Sequence, residues 1–295
     1  MKEVVSKSFN YLTCSYIRKN VKNYSCEHEH LNKESPLFHT GHFFKENYKI
    51  LNDSNAKEVL SKHNEYLKTA SNGLLSTSLN SSIFLNNDKI YGSFIYFNDI
   101  WAKKFDTRFS YYDELRLSDD QTCIRKFMTR KDYFKYAKIK YDDLEYQIVV
   151  IPYKKTKKIH TRHMVYLIPL KNNADLSKIW DSFYTVSEGN IRYYITKLDF
   201  NLIDLHIPAV EHIQSNFDLI DLLYDVFKYN ISYNIHSSMV VYLNVDENGG
   251  EENGPIMDNS TNESIEIPCV KANVPHISFI YDDDCKRILF ITKDG

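Results

Sequence analysis

Glycine is scarce in this chain, 8 of 295 residues, and there are only 7 prolines. A phosphate-cradling loop needs several closely spaced glycines, and a flexible linker needs Gly, Ser or Pro runs. Both readings are therefore disfavoured. Cysteine is confined to Cys14, Cys26, Cys123, Cys269 and Cys285, an odd number at wide spacing with no Cys-x-x-Cys pair. That argues against a disulfide framework and for free thiols. Charge of one sign is lacking too. Lys and Arg total 37 against 39 Asp and Glu, a net charge of -2. No global electrostatic drive toward nucleic acid or membrane exists. No segment has membrane-spanning length, and Met1-Lys-Glu-Val-Val-Ser-Lys-Ser carries no apolar run long enough for a signal peptide. The expectation is a cytoplasmic protein whose sequons (Asn23, Asn52, Asn80, Asn230, Asn259 and Asn262) stay bare.

Enzyme signatures are missing as well. No Ser/His/Asp spacing stands out, and the histidine clusters lack carboxylate partners at diagnostic spacing. Cys26-Glu-His28-Glu-His30, with His39 and His42 nearby, has zinc-type ligands but no second pair at standard spacing. A solvated polar loop is the better reading there. No metal, no cofactor and no catalysis are expected.

What is present is an ordinary globular composition, 43% hydrophobic and 26% charged, with 23 tyrosines. The chain reads as one domain over 1–295, with a divergent segment at 1–53. Val4 to Val21 has helix-like spacing. Ser54 to Gly73 predicts an amphipathic helix, capped by Asn55 with Glu58 three residues on, and with Val59, Leu60, His63, Leu67 and Ala70 inward. Lys89 to Phe97 predicts a strand, followed by a turn that carries Trp101 and Phe105. Between 107 and 170 the alternation predicts strands at Phe127-Met128, Tyr133–Tyr141, Tyr146–Pro152 and Met164–Pro169. Leu176–Phe183 predicts a helix, Leu198–Pro208 a strand, Ser215–Phe227 a helix capped by Ser215 and Asp218, and Ser238–Val245 a strand. The basic run Lys154-Lys-Thr-Lys-Lys158 has the composition of a polyanion site for nucleic acid or glycosaminoglycan. A solvated hairpin tip is the better reading of it.

One stretch resists this scheme. Glu251 to Pro268 has no consistent period, five acids, Gly254-Pro255 and many small polar residues, between strands on either side. A loop of this length inside a compact domain is functional or disordered.

The stretch also resembles one family. In serpins a strand ends in a Val-Asn-Glu-Glu-Gly-like hinge and feeds an exposed reactive loop, which returns through a Pro-Phe element and a Leu-Phe-containing last strand. Val245-Asp-Glu-Asn-Gly249 matches the hinge, Val274-Pro275-His276 the Pro-Phe element and Ile288-Leu-Phe-Ile291 the last strand. Ile95-Tyr-Phe97, Trp101 and Phe105-Asp106 match the family's strand-and-turn pattern at the same spacing. Ile207-Pro208-Ala-Val-Glu211 and Gln147-Ile-Val-Val-Ile-Pro-Tyr153 resemble further segments. The departures are Ser93 for the usual Asn and Met239-Val240 for the usual His-Lys.

The resemblance covers about 54–295 and implies an α+β fold: a large mixed sheet A, smaller sheets B and C, and packed helices, with some N-terminal helices missing. It implies a hinge at Glu247, Asn248, Gly249, Gly250, Glu251 and Glu252, a loop over 249–268, and a scissile region at Asn262, Glu263 and Ser264. Trp101, Phe105, Pro208 and Pro275 become structural motif residues. The implied partner is a host protein, including a protease of the Asp/Glu-directed caspase or granzyme type, as poxvirus serpins of this kind meet in the cytoplasm. The Tyr-, Asn-, Ile- and Lys-rich composition suits an AT-rich genome such as that of a large DNA virus. Strand edges left open by missing elements favour a homodimer.

In inhibitory serpins the cleaved loop inserts as a new central strand. The inward positions here would be Gly250, Glu252, Gly254 and Ile256. A buried unpaired Glu252 and a Pro255 without a ladder donor both oppose insertion. The expectation is a serpin-like binding protein that no longer inhibits.

Overall fold

The computed structural model describes residues 37–44, 89–97, 99–118, 120–155, 161–188, 190–217, 235–247, 267–283 and 286–294, with scattered helical positions between 57 and 69. These residues form two compact units. One takes its residues from Asp99–Ala209 and Val245–Gly295, the other from Asn10–Asn98 and Val210–Asn244.

The second unit is built on a four-stranded sheet. Its strands are β1 (Leu37–Phe44), β2 (Lys89–Phe97), β8 (Val210–Phe217) and β9 (Ile235–Val245), in the order β1-β2-β9-β8. β1 runs antiparallel to β2, and β2 runs parallel to β9, so the sheet is mixed. The β2–β9 register is continuous from Lys89↔Ile235 to Phe97↔Leu243. Among the described residues no strand stands between them. Eight positions between Lys57 and Thr69 are helical and mostly exposed, and Lys62 Nζ donates to Glu58 Oε1 at 2.7 Å one turn away. The predicted cap and inward stripe of that helix lie outside the described residues, as do Val4–Val21 and the Cys26–His30 run. Leu37–Phe44, which includes His39 and His42, is strand rather than polar loop. A further expectation changes. Ser215 does not cap a helix, because Ser215 to Phe217 continue β8; the rest of that predicted helix lies outside the described residues. Three residues cannot distinguish a period of 2 from one of 3.6, and sheet pairing decides.

The first unit is an eight-stranded sheet. Its further strands are β3 (Tyr111–Ser118), β4 (Gln121–Tyr141), β5 (Leu144–Pro152), β6 (Arg162–Pro169), β7 (Phe200–Pro208), β10 (Cys269–Lys271), β11 (His276–Asp282) and β12 (Arg287–Asp294), in the order β10-β7-β4-β5-β6-β11-β12, with β3 also on β4. The strands predicted at Phe127-Met128 and Tyr133–Tyr141 are one 21-residue strand. Alternation falters near 127–130 because β4 changes neighbours there. Phe127 pairs with Tyr111 and Pro208, whereas Lys135 pairs with Val150 and Phe200.

Helices α1 (Leu176–Val186) and α2 (Ile191–Lys197) cover one face of β5, β6 and β11. Asp175 caps α1 by accepting from the Ser177 and Lys178 N–H groups, and Asn190 caps α2 by accepting from Tyr193 N–H. Ile179, Phe183, Ile191 and Ile195 pack on Ile148, Val150, Val165, Leu167, Ile277 and Phe279. β6 and β11 are buried along almost their whole length, which suits the apolar run Met164–Pro169 and the mostly apolar Ile277–Tyr281. Among the described residues, non-glycine positions in left-handed backbone are Asp142, Glu188 and Lys286, at φ of 50°, 52° and 52°, where a side chain costs about 1 kcal/mol.

Candidate functional site

The site is built where β9 ends, at the start of the predicted hinge. Val245 is buried, and the next two backbone carbonyls are both occupied. Trp101 Nε1–H donates to the Asp246 carbonyl at 2.8 Å, and the Phe105 N–H donates to the Glu247 carbonyl at 2.9 Å. The spacing of Trp101 and Phe105 in the sequence thus becomes two clamps on successive residues of the chain leaving β9.

The clamp is itself held rigid. Trp101 is 1% exposed and stacks on Tyr153, with centroids 4.4 Å apart and planes at 11°; Phe105 meets Trp101 edge-on at 6.0 Å. Backbone bonds Ala102 N–H to Pro152 carbonyl and Lys154 N–H to Ile100 carbonyl, at 2.9 and 2.6 Å, tie the turn to the end of β5. Arg130 lies between two rings, 4.7 Å from the Phe105 centroid and 4.6 Å from that of Phe134, and donates to the Lys103 carbonyl. Burial pulls Arg130 down to about 10, with Asp132 acting against the shift.

Glu247 is the charged centre. The residue is 4% exposed, and its Oε1 accepts from Lys126 Nζ and from Ser110 Oγ, each at 2.6 Å. Burial alone would raise this carboxyl. Hydrogen bonds from Lys126, Ser110 and its own N–H, together with the Lys126 charge, outweigh burial and hold it below the ordinary glutamate value. Two donors on one oxygen favour the ionised form throughout the neutral range.

A second buried cluster lies at the start of the same turn. Arg162 donates from Nη1 to Asp99 Oδ2 at 2.9 Å and from Nε to Asp282 Oδ2 at 3.3 Å. Burial pushes Asp99 up despite the Arg162 and Ile100 N–H hydrogen bonds it accepts, with the Asp282 charge acting in the same direction.

The structure therefore brings Trp101, Phe105 and Glu247 together. It places Pro208 elsewhere, opposite Phe127 at the end of β7, and Pro275 in the bend between β10 and β11. Asn248, Gly249, Gly250, Glu251 and Glu252, and the predicted scissile residues Asn262, Glu263 and Ser264, lie outside the described residues. Sequence reasoning missed Lys126, Ser110 and Arg162. Nothing local marks them, because each finds its acid only through tertiary folding. Tyr153 carried a signal in the Ile-Pro-Tyr segment at the end of β5. Among the described residues no group of three or more His, Cys, Asp or Glu is arranged to hold a metal ion. No described helix is long and apolar enough to cross a membrane.

Comparison with known proteins gives one consistent answer. The family described as "Serpin (serine protease inhibitor)" matches residues 33–293. The chain is 22% identical over 266 residues to serine proteinase inhibitor 1 of vaccinia virus strain Western Reserve, covering 84% of this chain and 72% of that protein. It is 23% identical over 189 residues to serine proteinase inhibitor 1 of variola virus. That match takes in 63% of this chain and spans about half, 48%, of the variola protein. Among solved structures it is similar to native protease nexin-1 with heparin (TM-score 0.67, 14% identity, 88% of this chain and 77% of that one). A serpin from the trematode Schistosoma haematobium gives a TM-score of 0.66 at 18% identity, over 95% and 79% of the two chains. The fold is shared with these structures, and the mixed sheet agrees with the α+β architecture that the sequence resemblance implies.

Proposed function

The chain belongs to the serpin family, and on that premise we propose that it is a host-interaction binding protein, with poxvirus relatives, that has given up protease inhibition by strand insertion. The single domain would span 1–295, with Glu247, Asn248, Gly249, Gly250, Glu251 and Glu252 as hinge and 249–268 as exposed loop. The site of action is the host cytoplasm, and the protein does its work without a cofactor and without catalysis.

One observation carries the reading: the composition of the hinge at the seam it would have to enter. An inserted strand must part β2 from β9, which pair directly over nine residues. The arriving segment would bring Glu252 to an inward position and Pro255 to a ladder position. Burying an unpaired carboxylate opposes insertion by several kcal/mol, and proline leaves a gap in a central ladder. The glycines add no packing. The test is thermal unfolding before and after proteolytic nicking of the 249–268 loop. Little change in Tm is expected, and a gain of tens of degrees would overturn the reading.

The acidic loop supports a second reading. Glu263 in the scissile region suits an Asp/Glu-directed protease, so the alternative is an intracellular caspase- or granzyme-type inhibitor. A detergent-stable complex with such a protease would establish it, and its absence across a panel favours the binding protein. Strand edges left by missing N-terminal elements would favour a homodimer, which sedimentation would read.

A further inference from the structure

In the sheet of the first unit, β3 and β10 stand on opposite sides of β4 and β7. Phe127 of β4 pairs with Tyr111 of β3 on one edge and with Pro208 of β7 on the other, and β10 pairs with β7 beyond it. Three strand spacings are about 14 Å in a flat sheet. Here the Arg116 N–H donates to the carbonyl of Asn273, just past β10, at 3.0 Å, and Lys271 Nζ reaches Asp113 Oδ2 at 2.5 Å. The four strands therefore curl toward one another. Directly opposed residues share a face, so Tyr111 and Asp113, His206 and Asp204, and Lys271 all project from the concave side.

Tyr111 is the centre of this cluster. Its hydroxyl lies 3.0 Å from His206 Nδ1, and its ring stacks on Phe127 with centroids 5.9 Å apart. On the far side of the imidazole, Nε2 lies 3.3 Å from Asp204 Oδ1. A carboxylate only accepts, so in the neutral imidazole it favours the proton on Nε2. Nδ1 is then a lone pair, and the Tyr111 hydroxyl donates to it. Lys271 donates to Asp113 and to the Tyr111 hydroxyl. The Asp113 bond first, and the Tyr111 bond after it, raise the lysine above its ordinary value against the effect of burial. Hydroxyl, base and orienting carboxylate thus stand in hydrogen-bond order, the arrangement of an activated nucleophile. An ammonium already sits at the oxygen where negative charge develops.

We propose that Tyr111 is a nucleophilic acyl acceptor, modified once per chain by an activated acyl donor such as an aryl ester or a thioester. The Tyr111 oxygen attacks the acyl carbon as its proton passes to His206 Nδ1. The new O–C bond forms, the bond from that carbon to the donor's oxygen or sulfur breaks, and the leaving atom departs as aryl oxide or thiolate. His206 then returns the proton to solvent. A phenyl ester is itself activated, so only a donor at least as activated can form one. Ordinary amides and alkyl esters are thereby excluded as donors. One modification per chain is not turnover, so the inference goes beyond the binding-protein reading and leaves it intact. It concerns the concave sheet face and not the loop, so nicking and protease-panel results can fail independently of it.

The probe is p-nitrophenyl acetate on the full chain, with nitrophenolate release followed by absorbance and the acetylated residue located by peptide mass. The chain carries its own controls. Tyr112, on the opposite face of β3, is 72% exposed, and Tyr133 is 64% exposed, whereas Tyr111 is half-buried. Reactivity that followed exposure would label those two first. The expected result is a fast release of one equivalent with the acetyl group on Tyr111. Hydroxylamine should remove it, since it cleaves a phenyl ester and spares a lysine amide. The rate should rise with pH in a single step. His206→Gln should abolish that step and slow acetylation about a hundredfold. Asp204→Asn should slow it less, and Tyr111→Phe should remove the fast phase. Thermal unfolding shows whether each variant folds, and the order of labelling in the unaltered chain decides the question without any variant. Acetylation of Tyr112 or Tyr133 ahead of Tyr111 overturns the proposal. So does a rate and pH profile unchanged in folded His206→Gln, which would leave the cluster a structural tie between strands.

Discussion

Two buried ionic clusters stand at the two ends of the Trp101 turn, and they are built in opposite ways. At Glu247 one acid has two donors, Lys126 and Ser110, and its carboxyl is held below the ordinary range. At Arg162 one cation serves two acids, Asp99 and Asp282, and burial drives Asp99 up. Asp99 is the more deeply desolvated of the two and has a second acid beside it, whereas at Glu247 the donors outweigh a smaller burial cost. The first cluster ties down the chain leaving β9 and gains from being ionised. The second fixes the entry to the turn and carries a strained charge.

The comparison can be broken most severely at Arg162. Arg162→Met leaves Asp99 and Asp282 buried without the cation between them, and a loss of about 3–5 kcal/mol is expected in denaturant unfolding. A loss below 1 kcal/mol would show that the pair has relaxed toward water. Lys126→Met leaves Glu247 with Ser110 as its side-chain donor. Here the expected loss is about 2 kcal/mol, with a red shift in tryptophan fluorescence because Trp101 holds the adjacent carbonyl. An unchanged spectrum would separate the ion pair from the clamp. Ser110→Ala should be milder, about 1 kcal/mol, and its effect should fall short of additivity with Lys126→Met because both donors share one oxygen.

The smallest effect sharpens the contrast through pH. Glu247 has a folded value below its ordinary 4.5, so its stabilisation is present above that value and is lost as pH falls through the lower folded value. Asp99 has a folded value above its ordinary 3.8, so its contribution is full below 3.8 and fades as pH rises through the raised value. Melting temperatures between pH 3 and 7 should therefore show a shallower acid limb for Glu247→Gln and a steeper one for Asp99→Asn. Parallel limbs would sink the assignment.

Legibility in the sequence followed the range of the interaction. Trp101 and Phe105-Asp106 were readable because four-residue spacing in a turn is a local property. Lys126 was not, since a lysine inside a long strand has no distinguishing neighbour. β4 read as two strands because its pattern breaks where β3 gives way to β5. Ser215 read as a helix cap because serine before an apolar run is a cap signal, until β8 claims the segment. Tyr133 was readable as a strand residue, but its exposure was not, since covered and open faces of a sheet have the same period.

By itself the amino-acid order determined the properties that lie within a few residues. These are the aromatic spacing of the turn and the acid and proline at Glu252 and Pro255. Tertiary structure alone decided that Glu247 meets Lys126, that Arg162 divides itself between two acids, and that β2 lies directly against β9. Pairing of charges and of strands joins residues far apart in the chain, so it depends on how the whole sheet closes and has no signature in any local window.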